Sequence, residues 1–255
     1  MKYSEFLKEA KSPTSKKMRV MNELRRDGLK LSHLKERNRS VEFSLTAVTQ
    51  NPAALKYVKN QTEEMCLIAV QKNGNALQYV IKQTPRICLA AVEENGMALK
   101  YVKKQTPELC LIAVKRSPKA FVYVKKQTFE ICLAAVKRDG NALKHVINQT
   151  DKICLAAIDQ SVFLFYYIKK QMPEICLAVV RKNGTYLRYI KKQTPEICLV
   201  AVQENGVALE YVKKQTPEIC LAAIRSNKEA LKFVNRKIFD PEDSILLPLA
   251  SLEEF

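Results

Sequence analysis

The sequence predicts an all-α protein, a right-handed-type α-solenoid of about nine 22-residue two-helix repeats with a cap at each end. Three observations carry the prediction. All eight cysteines, from Cys66 to Cys220, stand 22 residues apart. Threonine–proline pairs recur with the same period, and so does a glycine about ten residues further on. An apolar share of 47% provides for a continuous core, while 6 glycines and 10 prolines among 255 residues exclude collagen-like and low-complexity classes.

Residues 1–40 come first, with 12 Lys or Arg against 5 Asp or Glu. Ser12, Pro13 and Thr14 interrupt two helical stretches there, and the segment is read as a basic N-terminal cap or arm. The array follows over 41–236, opening with a degenerate copy near Val41 that has Ser44 where later copies have cysteine. In each unit a pair such as Thr84 and Pro85, or Thr216 and Pro217, sets an N-capping hydroxyl before a proline at the first helical position. A first helix starts there. Gly74, Gly96, Gly140, Gly184 and Gly206 are expected to end it in the left-handed conformation. The remainder, Ala98 to Lys104 in one copy, is then a short second helix. Each helix is about eight to ten residues long, too short to persist alone, so stacked neighbours must hold it. The run Ile-Cys-Leu-Ala-Ala-Val is apolar nearly all round, which places the first helix inside and the second in the outer layer. A leucine-rich repeat also has a period in the low twenties; the threonine–proline starts and alanine-rich interiors argue for helix on both segments. Residues 237–255 carry 1 basic and 5 acidic side chains, and Ile245 to Ala250 are expected to cover the last repeat as a C-terminal cap.

The unit Lys-Gln-Thr-Pro-Glu-Ile-Cys-Leu-Ala-Ala-Val, two variable residues, Asn-Gly, then Ala-Leu and Tyr-Val, is clearest at 104–124 and 192–212. It resembles the short helical repeats of a domain-of-unknown-function family seen in giant-virus, bacterial and phage proteins, over roughly residues 41–236. The resemblance implies the repeat fold and a viral or phage-like setting, with no catalytic residues to carry over. Departures from the pattern lie at Phe129 and Asp151 in place of proline, Val162 in place of glycine and Met172 in place of threonine.

Catalytic chemistry has little material. Successive cysteines sit about 10 Å apart if carried on packed helices, beyond disulfide reach, and read as small buried hydrophobes. Only His33 and His145 exist, and no phosphate-binding glycine loop is present. No enzyme activity, metal, cofactor or small-molecule substrate is expected. The N-terminus lacks an apolar signal stretch and no run approaches a membrane span, so the chain reads as intracellular and cytoplasmic, with reduced cysteines.

The surface columns are more informative. A net charge of +17 calls for an anionic partner. Its ridge is Lys82, Lys104, Lys126, Lys170, Lys192 and Lys214, with Lys103, Lys125, Lys191 and Lys213 one residue earlier in their copies. Tyr57, Tyr79, Tyr101, Tyr123, Tyr167, Tyr189 and Tyr211 share another column, as packing rings or as stacking platforms for bases. Tyr101 and Lys103 fall on opposite borders of their helix, which weakens a joint base-and-phosphate site. The glutamine column from Gln61 to Gln215 is expected to bridge repeats through backbone hydrogen bonds. Uniform columns point to packing, so specificity belongs where the pattern breaks. The main break holds Phe163, Phe165, Tyr166 and Tyr167, read either as core repacked around a lost turn or as an aromatic anchor for a protein partner. Residues 115–124 add Lys115, Arg116 and Lys119. The leading expectation is a non-catalytic scaffold that docks, inhibits or recruits a protein with an acidic surface; the alternative is nucleic-acid binding through the lysine ridge.

Overall fold

The computed structural model describes residues 13–238, so residues 245–250 of the expected C-terminal cap lie outside them. Every regular element among the described residues is helical. The chain divides into two compact units, Met1–Arg138 and Asp139–Phe255.

The first unit holds the helices Pro13–Arg26, Val41–Gln50, Glu63–Lys72, Pro85–Glu94, Pro107–Arg116 and Phe129–Arg138. The second holds Asp151–Gln160, Pro173–Lys182, Pro195–Glu204 and Pro217–Ser226. Thr84 shows why they start where they do: its hydroxyl accepts the Ile87 N–H at 3.3 Å, and Pro85 needs no partner for its nitrogen. From Glu63–Lys72 onward each long helix turns Ile87, Cys88, Ala91 and Val92, or their equivalents, into the core.

The second segment of each repeat is a six-residue 3-10 helix such as Gly96–Tyr101, and not the α-helix of eight to ten residues expected from the pattern. The reason is its spacing. In a 3-10 helix residues i and i+3 eclipse, so Gly96, Leu99 and Val102 line one edge, and all three are buried.

The glycines do another job than the one expected. No glycine among the described residues has positive φ. Asn95 ends the long helix by donating its N–H to the Ala91 carbonyl at 3.0 Å, and its side chain starts the short helix by accepting from the Met97 N–H at 3.0 Å. Gly96 comes after that stop. Its lack of a side chain lets the next repeat approach, since a Cβ there would fall on the Ala113 carbonyl oxygen.

The long helices are not wholly interior either. Leu89 is 37% exposed and Ala90 is half-buried, and the matching pairs in the other copies are partly exposed. Long and short helices form two layers, each with a buried face and a wet one.

Repeats are tied by the glutamine column. Gln105 donates to the carbonyls of Leu99 at 3.3 Å and Tyr123 at 2.9 Å, and accepts the Lys125 N–H at 3.0 Å and the Cys110 thiol at 3.5 Å. One amide thus joins two copies through groups that turns would leave open. In the first unit residues 13–39 continue the scheme. The helix Pro13–Arg26 packs on Val41–Gln50, Asp27 caps the Leu29 N–H at 3.0 Å, and Arg39 replaces glutamine, donating to the carbonyls of Leu34, Tyr57 and Ser32.

Candidate functional site

The lysines form two kinds of column. Lys103 donates from Nζ to the Ile81 carbonyl at 2.9 Å, Lys125 to Lys103 at 3.3 Å and Lys213 to Lys191 at 2.9 Å. These ammonium groups reach back one repeat and cap its turn, so much of their charge is used inside the array. Lys191 donates its backbone N–H to Gln171 while its side chain lines a cleft described below. Lys82, Lys104, Lys126, Lys170, Lys192 and Lys214 are all exposed, and among the described residues none of their ammonium groups makes an ion pair or hydrogen bond.

Four rings of the tyrosine column, Tyr57, Tyr101, Tyr189 and Tyr211, pack against cations. Lys56 lies 4.7 Å from the Tyr57 ring, Lys100 lies 4.6 Å from Tyr101, and the Arg188 guanidinium lies 4.5 Å from Tyr211 and 5.7 Å from Tyr189. Tyr57, Tyr79, Tyr101, Tyr123 and Tyr211 are half-buried, whereas Tyr167 and Tyr189 are exposed. Covered rings serve poorly as stacking platforms.

The cysteines are buried thiols. Burial pushes each of them up, Cys154 and Cys220 to about 11, which keeps them protonated and poor nucleophiles. Among the described residues no cluster of His, Cys, Asp and Glu could hold a metal ion, and no helix is long and apolar enough to cross a membrane.

The pattern break produces a distinct surface in the second unit. Phe163 is 76% exposed and Tyr166 87% exposed, and Tyr167 is also open to solvent. Phe165 does not join them. It is 3% exposed because it occupies the column that Leu99 and Leu143 fill in other copies, so it belongs to the core and not to a docking anchor.

The short helices Gly140–His145 and Val162–Tyr167 pack side by side, as do Gly184–Tyr189 and Gly206–Tyr211, but between Val162–Tyr167 and Gly184–Tyr189 the packing thins out. Three substitutions stand at this junction, Val162, Val179 and Tyr186, and a fourth, Leu164, stands one junction earlier with its side chain against Gly140. Val162 replaces the close-approach glycine, Val179 replaces the alanine of Ala91 and Ala201, and Leu164 and Tyr186 replace the alanine of Ala98 and Ala208. Each adds bulk where neighbouring repeats touch. Among the described residues Gln171 keeps its bond to the Tyr189 carbonyl at 2.9 Å without the companion bond that Gln105 makes to Leu99.

The result is a cleft of about 900 Å³ whose lining includes Asn141, Ser161, Phe163, Tyr166, Tyr186 and Tyr189. Its rings meet edge to face, Phe163 with Tyr186 at 6.1 Å and Tyr186 with Tyr189 at 5.4 Å between centroids. Desolvation raises the Tyr186 phenol above its ordinary value, so it stays a neutral donor. Tyr186 and Arg188 were not among the residues expected from the sequence. Column alignment contained the signal, because Tyr186 is an aromatic in an alanine column.

In comparisons with known proteins, the family described as Domain of unknown function (DUF4116) matches residues 40–83, 62–106, 84–128, 106–150, 173–215 and 194–239, overlapping spans in register with the repeat. Neither the curated proteins nor the solved structures give a match.

Proposed function

Because the chain belongs to the family of helical repeats described as Domain of unknown function (DUF4116), whose description assigns no activity, we propose a function from the surfaces the repeats build. The protein is a non-catalytic binding scaffold that docks a protein partner, and the aromatic cleft of the second unit is its anchor. The observation that carries this reading is the concentration of pattern departures at one junction. Val162, Val179 and Tyr186 add bulk there, Leu164 adds it one junction earlier against Gly140, and the copy that holds Val162 puts Phe163 and Tyr166 in water.

Exposed aromatic side chains at a cleft are what a partner buries. Covering both rings would contribute about 3–6 kcal/mol by area transfer, enough to make them dominant anchors. The test is affinity capture with the full chain and with a Phe163→Ser, Tyr166→Ser variant. Both side chains lie outside the core, so the variant keeps its helical circular dichroism. A protein retained by the parent and lost by the variant supports the reading; identical capture by both overturns it.

One observation favours a second reading, binding of nucleic acid. The six lysines of the outer ridge are exposed and unpaired among the described residues. Anisotropy of labelled DNA and RNA over a salt series tests it, with Lys104, Lys126, Lys192 and Lys214 changed together to Glu. Binding that persists at physiological salt and collapses in the variant selects this reading.

A further inference from the structure

The first copy of the array lacks the acceptor on which the glutamine scheme depends. In the copies of Gln61 and Gln105 the amide oxygen accepts two donors: the thiol of Cys66 at 3.6 Å or Cys110 at 3.5 Å, and the N–H of Ile81 at 2.9 Å or Lys125 at 3.0 Å. Arg39 and Ser44 fill the glutamine and cysteine columns here. Arg39 takes over the donor half, giving Nε to the Leu34 carbonyl at 3.0 Å and its terminal nitrogens to Tyr57 at 2.7 Å and Ser32 at 3.3 Å. A guanidinium has no acceptor to offer.

Two donors are therefore left where the amide oxygen would stand. Ser44 is 2% exposed, and its hydroxyl makes no hydrogen bond among the described residues. The backbone N–H of Lys59, the counterpart of the Ile81 N–H, has no partner among them either. A hydroxyl withdrawn from water without a partner is destabilising, and folded proteins rarely keep one without a use for it. Ser44 faces a cavity of about 570 Å³ whose lining also includes Arg37, Arg39, Tyr57, Lys59 and Asn60.

Charge selects the occupant. Lys59 Nζ is paired with Glu36 at 2.8 Å, and Glu42 of the adjoining helix is held by Lys17 at 2.6 Å. Glu63 and Glu64 of the next helix do not line the cavity. Arg37 is exposed and makes no ion pair or hydrogen bond among the described residues. Arg39 has spent three of its five N–H groups, all on uncharged carbonyls. Two cations without a carboxylate partner thus stand beside the Ser44 hydroxyl, the Lys59 N–H and the remaining Arg39 donors. A carboxylate would bring one negative charge, whereas a phosphate monoester brings nearly two and more acceptor lone pairs. Val41, Val58 and the Tyr57 ring give the same cavity an apolar wall for an organic body.

We infer that this cavity binds the phosphate monoester group of a small organic molecule, with one phosphate oxygen standing where the glutamine Oε1 stands in the copies of Gln61 and Gln105. The ligand is held and not converted, and the site is independent of the aromatic cleft and of the scaffold reading.

The test is isothermal titration calorimetry of the full chain with phenyl phosphate, inorganic phosphate and benzoate at constant ionic strength. The expected result is saturable binding of phenyl phosphate, about tenfold or more tighter than benzoate and no weaker than inorganic phosphate. Arg39→Gln restores the common pattern and supplies its own oxygen at the site, so it should keep its helical circular dichroism while binding falls about tenfold or more. Ser44→Ala removes the buried donor without adding bulk and should weaken binding about fivefold or more, which decides the matter even if Arg39→Gln lowers stability. Lys104→Glu with Lys126→Glu, outside the cavity, leaves binding unchanged. Absence of saturable phenyl phosphate binding, unaltered binding by a folded Arg39→Gln or by Ser44→Ala, or benzoate as tight as phenyl phosphate overturns the inference. An equal loss in the ridge variant overturns it in favour of generic surface charge, and exclusion of phenyl phosphate while inorganic phosphate binds overturns the monoester assignment.

Discussion

Replacing Gln105 by alanine removes the amide that ties two repeats of the first unit. Its two donated bonds, at 3.3 and 2.9 Å, and the Lys125 N–H it accepts at 3.0 Å have ordinary geometry; the thiol contact at 3.5 Å is weaker. At about 0.5–1.5 kcal/mol net for each of the three stronger bonds, and with the exposed Lys125 N–H able to return to water, the loss comes to about 2–3 kcal/mol. Urea unfolding followed by the helical circular dichroism signal reads this as a lower midpoint. Gln105→Glu tests the donors separately. A carboxylate still accepts from Lys125 but opposes two carbonyl oxygens, so at neutral pH this variant should be no more stable than the alanine variant. In acid, where a protonated carboxyl regains one donor, it should recover part of the difference from the parent. A loss below about 0.5 kcal/mol for Gln105→Ala, or a glutamate variant as stable as the parent at neutral pH, would refute the bridging role.

Four further outcomes follow from particular contacts. Gly206→Ala should destabilise by about 1–3 kcal/mol in urea unfolding, because the new Cβ meets the Ala223 carbonyl and Asn227, whereas helix propensity alone predicts a gain; a stabilised variant would sink the close-approach account. The eight buried thiols should react with Ellman's reagent at pH 8 only after denaturant is added. Burial raises Cys154 and Cys220 from an ordinary value of 9.0 to about 11, so the stability of their neutral forms is complete below about pH 9 and is lost as pH rises through 11. The melting temperature should fall over that interval, less so in a Cys154→Ala, Cys220→Ala variant, and an equal fall in that variant would contradict the assignment. Restoring the common pattern by Val162→Gly, Leu164→Ala, Val179→Ala and Tyr186→Ala should close the aromatic cleft and abolish partner capture while helical content is kept; undiminished capture would show that the cleft is not the anchor.

The cysteine period and the threonine–proline starts made the repeat legible, because both are local signals that recur 22 residues apart. The second segment was less so. The sequence Gly-x-x-Leu-x-x-Val has the threefold spacing of a 3-10 helix, yet over six residues an α-helical face drawn through Ala98, Leu99 and Val102 fits nearly as well. Gly96 suggests a helix stop in sequence, but the stop is Asn95 and the glycine serves a neighbour 17 residues on. Phe165 illustrates column against composition: an aromatic among aromatics looked like a surface anchor, while its leucine column fixed it in the core. The division of the lysines was hidden because it depends on Lys103 reaching the Ile81 carbonyl in the preceding copy. The cleft was half visible. Phe163, Tyr166 and Tyr167 announced the break, but its cause lay in Val179 and Tyr186, whose departures are unremarkable until each column is followed through every repeat.

The proposed anchor is tested most directly by placing a photo-crosslinking phenylalanine analogue at position 163, and separately at position 166, in the cell that makes the protein. Lys144, an exposed residue on the preceding short helix, takes the same analogue as the control. The account predicts a light-dependent adduct with one protein from positions 163 and 166 and none from 144. The same adduct from all three positions, a nucleic-acid adduct, or no adduct from 163 and 166 would contradict it.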